Sequence, residues 1–396
     1  MVNKFFKRQI PVLPLWQSFK INDMRAGFLI LLGFFGMSLV GCDKDDHNPI
    51  EPTLEVGVAG DTLLEPNMKK ILEDYSIPGL ASLTLDSNGV VEEVEIGIQS
   101  IDGENEIIQN SKWHLGSITK SMTATLVGIL VDHGYLSWNT TIGDVASEGY
   151  LEDYKDVTMV QLLSHTGGIL AEDYPVDPSD TRDVSEIRQE WALAVLNQPQ
   201  GQIGTFSYSN NSYVVAGVML ELITQTSWEE LMETFLLAPL GMTQTGFGAP
   251  GKNGNAHEPW GHHLEGGEWS PKNPTDIFSD NPMALGPGGT VHTTLNDLTK
   301  YIDLHLGESS IINASTLEML HTEVNDSGYA LGWNINENGI FHSGSNTNWF
   351  AQLYIDLDNN FVNFAVTNSY DLQGERSIPA IMETMRVMGT RYANSQ

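Results

Sequence analysis

Short β-forming runs lie near both ends of this chain, and the long segment between them has a helical pattern. Near the N-terminal end, "GLASLTLD" and "VVEEVEIG" flank an Asn88-Gly89 turn, which predicts a β-hairpin. Near the C-terminal end, "WFAQLYID" and "FVNFAVTN" flank a second turn and indicate an antiparallel meander. The sequence therefore predicts an α+β fold. One antiparallel sheet, built from the N- and C-terminal segments and flanked by helices, is interrupted by an inserted, mainly helical region.

The inserted region covers about residues 117–285. Within it, "SEIRQEWALAVLN" and "NNSYVVAGVMLELITQ" carry apolar residues at helical spacing. We expect one further helix at about residues 65–75 and another at about residues 376–392.

The first 42 residues differ from the rest of the chain. A basic start precedes an apolar run at residues 26–40, which is too short for a comfortable membrane span and is typical of a secretory signal. The run ends in Leu39-Val40-Gly41-Cys42, which resembles the lipobox of bacterial lipoproteins, and Cys42 is the only cysteine of the chain. We predict a lipoprotein signal peptide at residues 1–42 with lipidation at Cys42, which anchors the protein to a membrane. An ordinary signal anchor is the alternative.

The segment after Cys42 is acidic and contains Pro49 and Pro52. It predicts a flexible tether at residues 43–60 and one folded domain at residues 61–396. The predicted location is the cell envelope, as a lipoprotein exposed to the periplasm or at the cell surface, and the predicted assembly is a monomer. The formal net charge of −32 repels nucleic acid, so a nucleic-acid partner is not expected.

Ser117 and Lys120 lie three residues apart at the start of the apolar stretch "SMTATLVGIL". On a helix, residues at i and i+3 share a face, so the lysine nitrogen can reach the serine oxygen. The amides of a first helical turn also favour the negative charge that develops on an attacking oxygen. The pair alone is weak, because a chain of this length contains roughly one or two such spacings by chance. A helix cap beside a solvated lysine is the alternative.

Two more short motifs follow in order, Tyr208-Ser209-Asn210 and His342-Ser343-Gly344. The three motifs together resemble the serine β-lactamase and penicillin-binding-protein superfamily, in its class C-like branch. The resemblance covers about residues 77–369 and includes the lesser matches "LLSHTGG", "APLGM", "GGTVHTTLNDL" and "YALGW". It departs from the pattern in "SNTNWFAQ", where relatives often have a glycine near Asn348. Taken singly, Tyr208 could be a half-buried aromatic residue and Asn210 a helix cap.

The resemblance implies a role for each matched residue. Ser117 would attack a carbonyl and become acylated, while Lys120 and Tyr208 would take and return protons; which of the two is the base stays open. Asn210 would orient the substrate and the lysine. The strand that carries Gly344 would also bind substrate, and the backbone amides of Ser117 and Ser345 would form an oxyanion hole. We expect no cofactor and no metal.

His342 stands where class C β-lactamases, as the resemblance has it, place a lysine that faces the substrate carboxylate. A histidine with an ordinary pKa of about 6.5 would hold that carboxylate only partially at pH 7, and more strongly at lower pH. The substitution favours a D,D-peptidase or an esterase over a β-lactamase. The alternative is that His342 only hydrogen-bonds within the sheet.

The expected function is therefore an exported serine hydrolase that acts through an acyl-enzyme on an amide or ester carbonyl. Its substrate would be a peptidoglycan-derived peptide, an ester or a β-lactam. A true class C-like β-lactamase is one alternative, and a non-catalytic module that binds peptidoglycan or β-lactams is another.

Two other readings of the sequence are set aside. The segment "HEPWGHH" at residues 257–263 has the wrong spacing for a His-Glu-x-x-His zinc motif and predicts a loop with exposed histidines. His165 is interpreted as a structural residue that closes a helix.

Overall fold

The N-terminal hairpin and the C-terminal meander lie side by side in one sheet, as the sequence predicts. The computed structural model describes residues 55–396, apart from residues 147, 172–175, 178–179, 253, 256 and 308. The predicted signal peptide, Cys42 and most of the predicted tether lie outside the described residues.

The strands are β1 (Gly79–Asp86), β2 (Gly89–Gly97), β3 (Trp113–His114), β4 (Gly246–Phe247), β5 (Gly261–Glu265), β6 (Glu268–Lys272), β7 (Val291–Thr293), β8 (Asn334–Ile335), β9 (Gly339–Ser345), β10 (Phe350–Asp356), β11 (Phe361–Thr367) and β12 (Ser369–Tyr370). The main sheet has six strands in the order β2-β1-β11-β10-β9-β8. Its β1–β11 pairing is antiparallel and runs from Leu80 opposite Thr367 to Leu85 opposite Val362. This pairing joins the two ends of the chain and confirms the predicted α+β layout.

The α-helices are α1 (Leu64–Tyr75), α2 (Thr119–Asp132), α3 (Ile142–Val145), α4 (Met159–Leu163), α5 (Val184–Leu196), α6 (Asn210–Thr224), α7 (Trp228–Met232), α8 (Ala238–Leu240), α9 (Gly286–Gly289), α10 (Leu295–His305), α11 (Ala314–His321) and α12 (Ser377–Ser395). Short 3-10 turns lie at Gly116–Ile118, Glu152–Tyr154 and Met283–Leu285, and a π-helical turn lies at Glu233–Leu237. Helices α2 to α8 lie within the predicted insertion at about residues 117–285, and α9 to α11 extend the helical region beyond it, to His321.

Both faces of the sheet are covered, which is why β1 is buried along nearly its whole length. Leu83 and Leu85 point into the large core shared with the inserted helices. Leu80 packs on the other face, with Met68 of α1 and Val387 of α12. Side chains alternate between the faces of a strand, so a continuous apolar run is what a strand covered on both sides requires.

The last residues of the predicted tether belong to the folded domain. The buried guanidinium of Arg391, on α12, donates hydrogen bonds to Val56 O at 2.6 Å and Val58 O at 2.7 Å. It also pairs with Glu92 of β2 at 2.8 Å. Residues 55–60 are therefore fixed against the C-terminal helix, which corrects the predicted tether for these residues; the rest of the predicted tether lies outside the described residues.

The segment at residues 257–263 is only partly the exposed loop that we expect, because His257 is exposed in a turn but the segment ends in a strand. Gly261–Glu265 forms strand β5 and pairs with β6. His262 is fully buried, and both its ring nitrogens are hydrogen-bonded. Its Nδ1 lies 2.8 Å from Asn368 O, and its Nε2 accepts from the Ile101 N–H. Across the residues that the structure describes, no three side chains of the metal-binding types group together.

The same part of the chain contains no helix with the length and apolar character needed to cross a membrane.

Candidate active site

Ser117 lies in the 3-10 turn Gly116–Ile118, which leads directly into helix α2. Gly116 has a φ of +52°, a conformation that side chains with a Cβ rarely adopt. A Cβ there would overlap Ser345 N, and a Cβ at Gly344 would lie 2.9 Å from Ser117 N. The backbones of the nucleophile turn and of strand β9 therefore touch, because glycine stands on both sides of the contact.

This contact brings the backbone at Ser117 close to the backbone at Ser345. Two backbone N–H groups that face a common point are the usual components of an oxyanion hole. The close approach is compatible with that role for the two amides, which stays a prediction.

Lys120 lies one turn along α2 from Ser117 and is fully buried. Its Nζ is 3.1 Å from Ser117 Oγ, 2.8 Å from Asn210 Oδ1 and 2.7 Å from Gly288 O. Burial lowers the pKa of Lys120 to about 7, since the charged ammonium is poorly solvated there. A substantial fraction of this lysine is therefore neutral at neutral pH.

The three partners of Lys120 fit a neutral amine as well as a charged one. A neutral amine has two N–H donors and one lone pair. Asn210 Oδ1 and Gly288 O can only accept, so they take the two N–H groups. The lone pair is then left for the hydroxyl proton of Ser117, which is the arrangement of a general base.

Tyr208 lies beside this pair, and its hydroxyl is hydrogen-bonded to Ser117. Lys120 Nζ is 5.0 Å from the centre of its ring. Burial raises the pKa of Tyr208 well above its ordinary value. The phenol stays protonated, so it can donate or relay a proton but is a poor base at neutral pH.

Asn210 is the first residue of α6, and its side chain faces Lys120 instead of capping the helix. His165 supports the same segment, because its Nδ1 accepts a 3.2 Å hydrogen bond from the Ser209 N–H. Its ring centre is 4.4 Å from that of Tyr208, and its φ of +60° turns the chain toward the site.

The sequence predicts a structural role for His165 at a helix end but does not predict this contact. The fragment "LLSHTGG" contained the signal, but nothing in it shows which aromatic ring the histidine would meet. Gly288, whose carbonyl accepts from Lys120, was missed for a similar reason. Every residue has a backbone carbonyl, so the sequence cannot show which carbonyl contacts Lys120; the glycines at this position indicate only that the backbone can come close to another segment.

The structure corrects the charge that we expected for His342. The residue is 2% exposed; its Nε2 lies 2.9 Å from the Tyr329 hydroxyl and its Nδ1 lies 2.6 Å from Ser343 O. Burial, together with the charge of Lys120, lowers the pKa of His342 to about 3. His342 is therefore neutral between pH 6 and 8, because desolvation of the ring and the charge of Lys120 outweigh the hydrogen bond to Ser343 O, which by itself raises the pKa.

The structure thus brings together Ser117, Lys120, Tyr208 and Asn210 through direct contacts. His342, Gly344 and Ser345 lie on β9, the strand that runs against the nucleophile turn. Whether these residues act in catalysis or in binding substrate stays a prediction.

Comparison with known proteins places this site in context. The family model described as Beta-lactamase matches residues 64–382. The chain is 26% identical over 317 residues to penicillin-binding protein 4 of Amycolatopsis lactamdurans, which covers 74% of this chain and 82% of that protein. It is 25% identical over 314 residues to protein flp of Staphylococcus aureus strain MRSA252, covering 76% of this chain. The match spans only 60% of the length of flp.

Two solved structures share the fold. The octameric penicillin-binding protein homologue from Pyrococcus abyssi superimposes with a TM-score of 0.68 at 21% identity, over 83% of this chain and 77% of that one. A class C β-lactamase from Rhodobacter sphaeroides gives 0.64 at 16% identity, over 83% and 98%. At these identities the likeness concerns the fold.

Proposed function

This chain belongs to the Beta-lactamase family of serine hydrolases, and we propose that it transfers an acyl group from an amide or ester substrate to Ser117 and then to water. The observation that carries the proposal is the contact between Ser117 Oγ and the buried Nζ of Lys120, at 3.1 Å. A serine hydroxyl is a weak nucleophile until a neighbour takes its proton. A lysine with a pKa of about 7 is matched to that task at neutral pH.

The reaction follows from the site's contacts. Ser117 Oγ bonds to the substrate carbonyl carbon while its proton passes to the lone pair of Lys120. The oxyanion that forms is stabilised by the amides of Ser117 and Ser345. When the C–O or C–N bond breaks, the leaving group takes the proton, delivered from Lys120 through Tyr208. Water then attacks the acyl carbon and loses its proton to the same base. The base returns this proton to Ser117 Oγ as the acyl C–O bond breaks and the carboxylic acid product leaves.

The substrate is the finer part of the proposal. We place it among esters and D,D-peptidase-type amides, with the ester favoured. A neutral His342 supplies no fixed charge to a substrate carboxylate, and the net charge of −32 repels anions at long range. The class C β-lactamase alternative is disfavoured because it depends on a fixed positive charge at the position of His342. A non-catalytic binding module has no need of a base aimed at Ser117.

The test exposes purified protein to a chromogenic neutral ester, a D-Ala-D-Ala peptide and a penicillin, and follows turnover and intact mass. We expect turnover of the ester and a mass increase that maps to Ser117 with a serine-reactive phosphonate. Ser117→Ala is the matched control and should lose both signals while keeping its thermal midpoint. Undiminished labelling of Ser117→Ala would place the nucleophile elsewhere.

We also propose that the protein is exported and anchored through a lipid on Cys42. The lipobox-like end of the N-terminal apolar run supports this proposal, which concerns residues outside those that the structure describes. In a host that lipidates proteins, Cys42→Ser should become soluble or stay unprocessed. Tight membrane retention of that variant would contradict the lipid anchor.

A further inference from the structure

A network of buried polar side chains lies directly behind the proposed oxyanion hole. At its centre is Asp280, in the loop between β6 and α9, with a side chain that is 8% exposed. Its carboxylate accepts hydrogen bonds from His114 Nε2 at 2.9 Å, from Asn346 Nδ2 at 2.7 Å and from the Asn281 N–H at 2.6 Å. A buried carboxylate is stable only when such donors surround it.

One arm of this network reaches the nucleophile turn. His114 is fully buried, and its Nδ1 accepts a 3.0 Å hydrogen bond from the Gly116 N–H. Because Nδ1 accepts, the ring proton lies on Nε2, where the Asp280 carboxylate can accept it. The chain from Asp280 through His114 therefore fixes the peptide between Leu115 and Gly116, the neighbour of the peptide that carries the Ser117 N–H.

The second arm reaches the end of strand β9. Asn346 follows Ser345 directly, and its side chain is tied to Asp280 on one side and accepts from the Asn348 N–H at 3.2 Å on the other. Asp280 is thus bonded directly to the side chain that follows Ser345 and, through His114, to the amide of the residue before Ser117.

A third arm leads toward the base. The residue after Asp280, Asn281, donates from its side chain to Gly289 O at 2.7 Å. Gly289 is adjacent to Gly288, whose carbonyl holds Lys120. Asp280 is therefore linked through His114 to the backbone before Ser117, and Asn281 is bonded to the backbone next to the carbonyl that holds Lys120.

We propose that Asp280 and His114 are positioning residues that hold the Ser117 and Ser345 amides at the spacing of an oxyanion hole. The inference rests on the proposed function, since only an acyl-transfer reaction develops charge at that point. Preorganised donors stabilise a transition state because they need no rearrangement as the charge appears. Loss of this brace should therefore lower the rate of acylation more than the binding of substrate.

Two substitutions of His114 separate its two hydrogen bonds. An asparagine amide lies near the position of Nδ1, so His114→Asn keeps an acceptor for the Gly116 N–H. A glutamine amide reaches the position of Nε2, so His114→Gln keeps the donor to Asp280 and loses that acceptor. Asp280→Asn removes the charge and replaces one acceptor oxygen by a donor.

The experiment measures kcat and KM with the neutral ester, the rate of phosphonate labelling, and the thermal midpoint. His305→Gln and Asp297→Asn are matched controls, because both residues are buried and hydrogen-bonded elsewhere in the domain. For His114→Gln and Asp280→Asn we expect kcat and labelling to fall about 10- to 100-fold, less than the roughly 100- to 1,000-fold cost of removing an oxyanion donor outright. KM should stay within about twofold, and His114→Asn should recover much of the rate.

Peptide-resolved hydrogen exchange over residues 113–118 tests the brace independently of activity. The Gly116 amide should lose protection in His114→Gln and keep it in His305→Gln. Unchanged protection in His114→Gln overturns the proposal, and so does a kcat that falls no more than in the two controls. If wild-type protein is not acylated at all, the proposed function fails, and the exchange result alone decides whether the brace exists.

Discussion

The proposed active site has one half on a helix and one half on a strand, and each half buries one basic side chain. Lys120, on α2, and His342, on β9, are both at most 2% exposed, and burial lowers the pKa of both. The lysine reaches about 7, inside the range in which it can exchange a proton at neutral pH. The histidine reaches about 3, far below that range. Burial of the same kind therefore leaves one side chain able to exchange a proton at neutral pH and keeps the other neutral.

The difference has two causes. A lysine starts from a much higher ordinary pKa than a histidine, so a comparable desolvation leaves it at a useful value. The partners also differ. Lys120 faces the hydroxyl of Ser117, whereas both nitrogens of His342 are used by Tyr329 and by a backbone carbonyl. A basic residue type in an active-site motif is thus no guide to charge until its burial and partners are known.

The largest expected effect comes from removing the base. Lys120→Met should lower the acylation rate about 1,000-fold, within the roughly 100- to 10,000-fold range that general-base catalysis supplies. His342→Gln, in the other half, should change the same rate by less than about threefold. Both are measured as the rate of phosphonate labelling at pH 7.5. Equal losses in the two variants would contradict the division of the site into a reacting half and a neutral half.

The second prediction concerns Tyr208 and Lys120 as one unit. Tyr208→Phe should slow acylation about 100-fold, because it removes the hydroxyl that contacts Ser117 and relays the proton. The double variant with Lys120→Met should lose little more than Lys120→Met alone, since residues that act together are not additive. Single-turnover rates of all four proteins complete the cycle. Losses that simply multiply would show that the two side chains work independently.

Much of this site was predictable from the sequence, because its parts lie in short, ordered motifs. The spacing of Ser117 and Lys120 depends only on helix geometry, and the β-rich ends of the chain predicted the sheet that carries β9. What the sequence could not show are contacts between segments far apart in the chain. The desolvation of His342, the carbonyl of Gly288 beside Lys120, and the bond from Asp280 to His114 all depend on packing of the inserted region.

A third prediction follows from the lowered pKa of Lys120. The base must be neutral to accept the serine proton, so the acylation rate should rise with pH through about 7 and level off above about 8. Below pH 7 the slope of log(kcat/KM) should approach one per pH unit. A neutral ester is the substrate, so that only the enzyme titrates. A rate that is flat between pH 5.5 and 8 would mean that Lys120 is not the titrating base.

The two halves should also differ in how they couple stability to pH. A lowered folded-state pKa means that the unfolded chain binds more protons between the two pKa values, so stability rises with pH across that window. For Lys120 the window lies between about pH 7 and 10, and for His342 between about pH 3 and 6. The rise is at most about 1.4 kcal/mol per pH unit.

Urea denaturation at several pH values measures this coupling. Relative to wild type, Lys120→Met should flatten the alkaline window only, and His342→Gln the acid window only. Flattening of the alkaline window by His342→Gln would show that the histidine titrates with the lysine.

The smallest expected effect concerns His342, for which the sequence and the structure predict different pH dependences. An ordinary histidine would attract carboxylate substrates more strongly as the pH falls from 8 to 6. A His342 with a pKa of about 3 keeps the same charge over that range, so the ratio of kcat/KM for an anionic ester to that for a neutral ester should be flat. Matched esters that differ only in one remote carboxylate cancel the titration of Lys120, because that titration affects both substrates equally.

His342→Gln should leave the ratio unchanged within about twofold, since an uncharged amide replaces an uncharged ring. A ratio that climbs toward pH 6 in wild type and not in His342→Gln would restore the charged histidine. It would also return β-lactams and D-alanyl peptides, which carry that carboxylate, to the front of the candidate substrates.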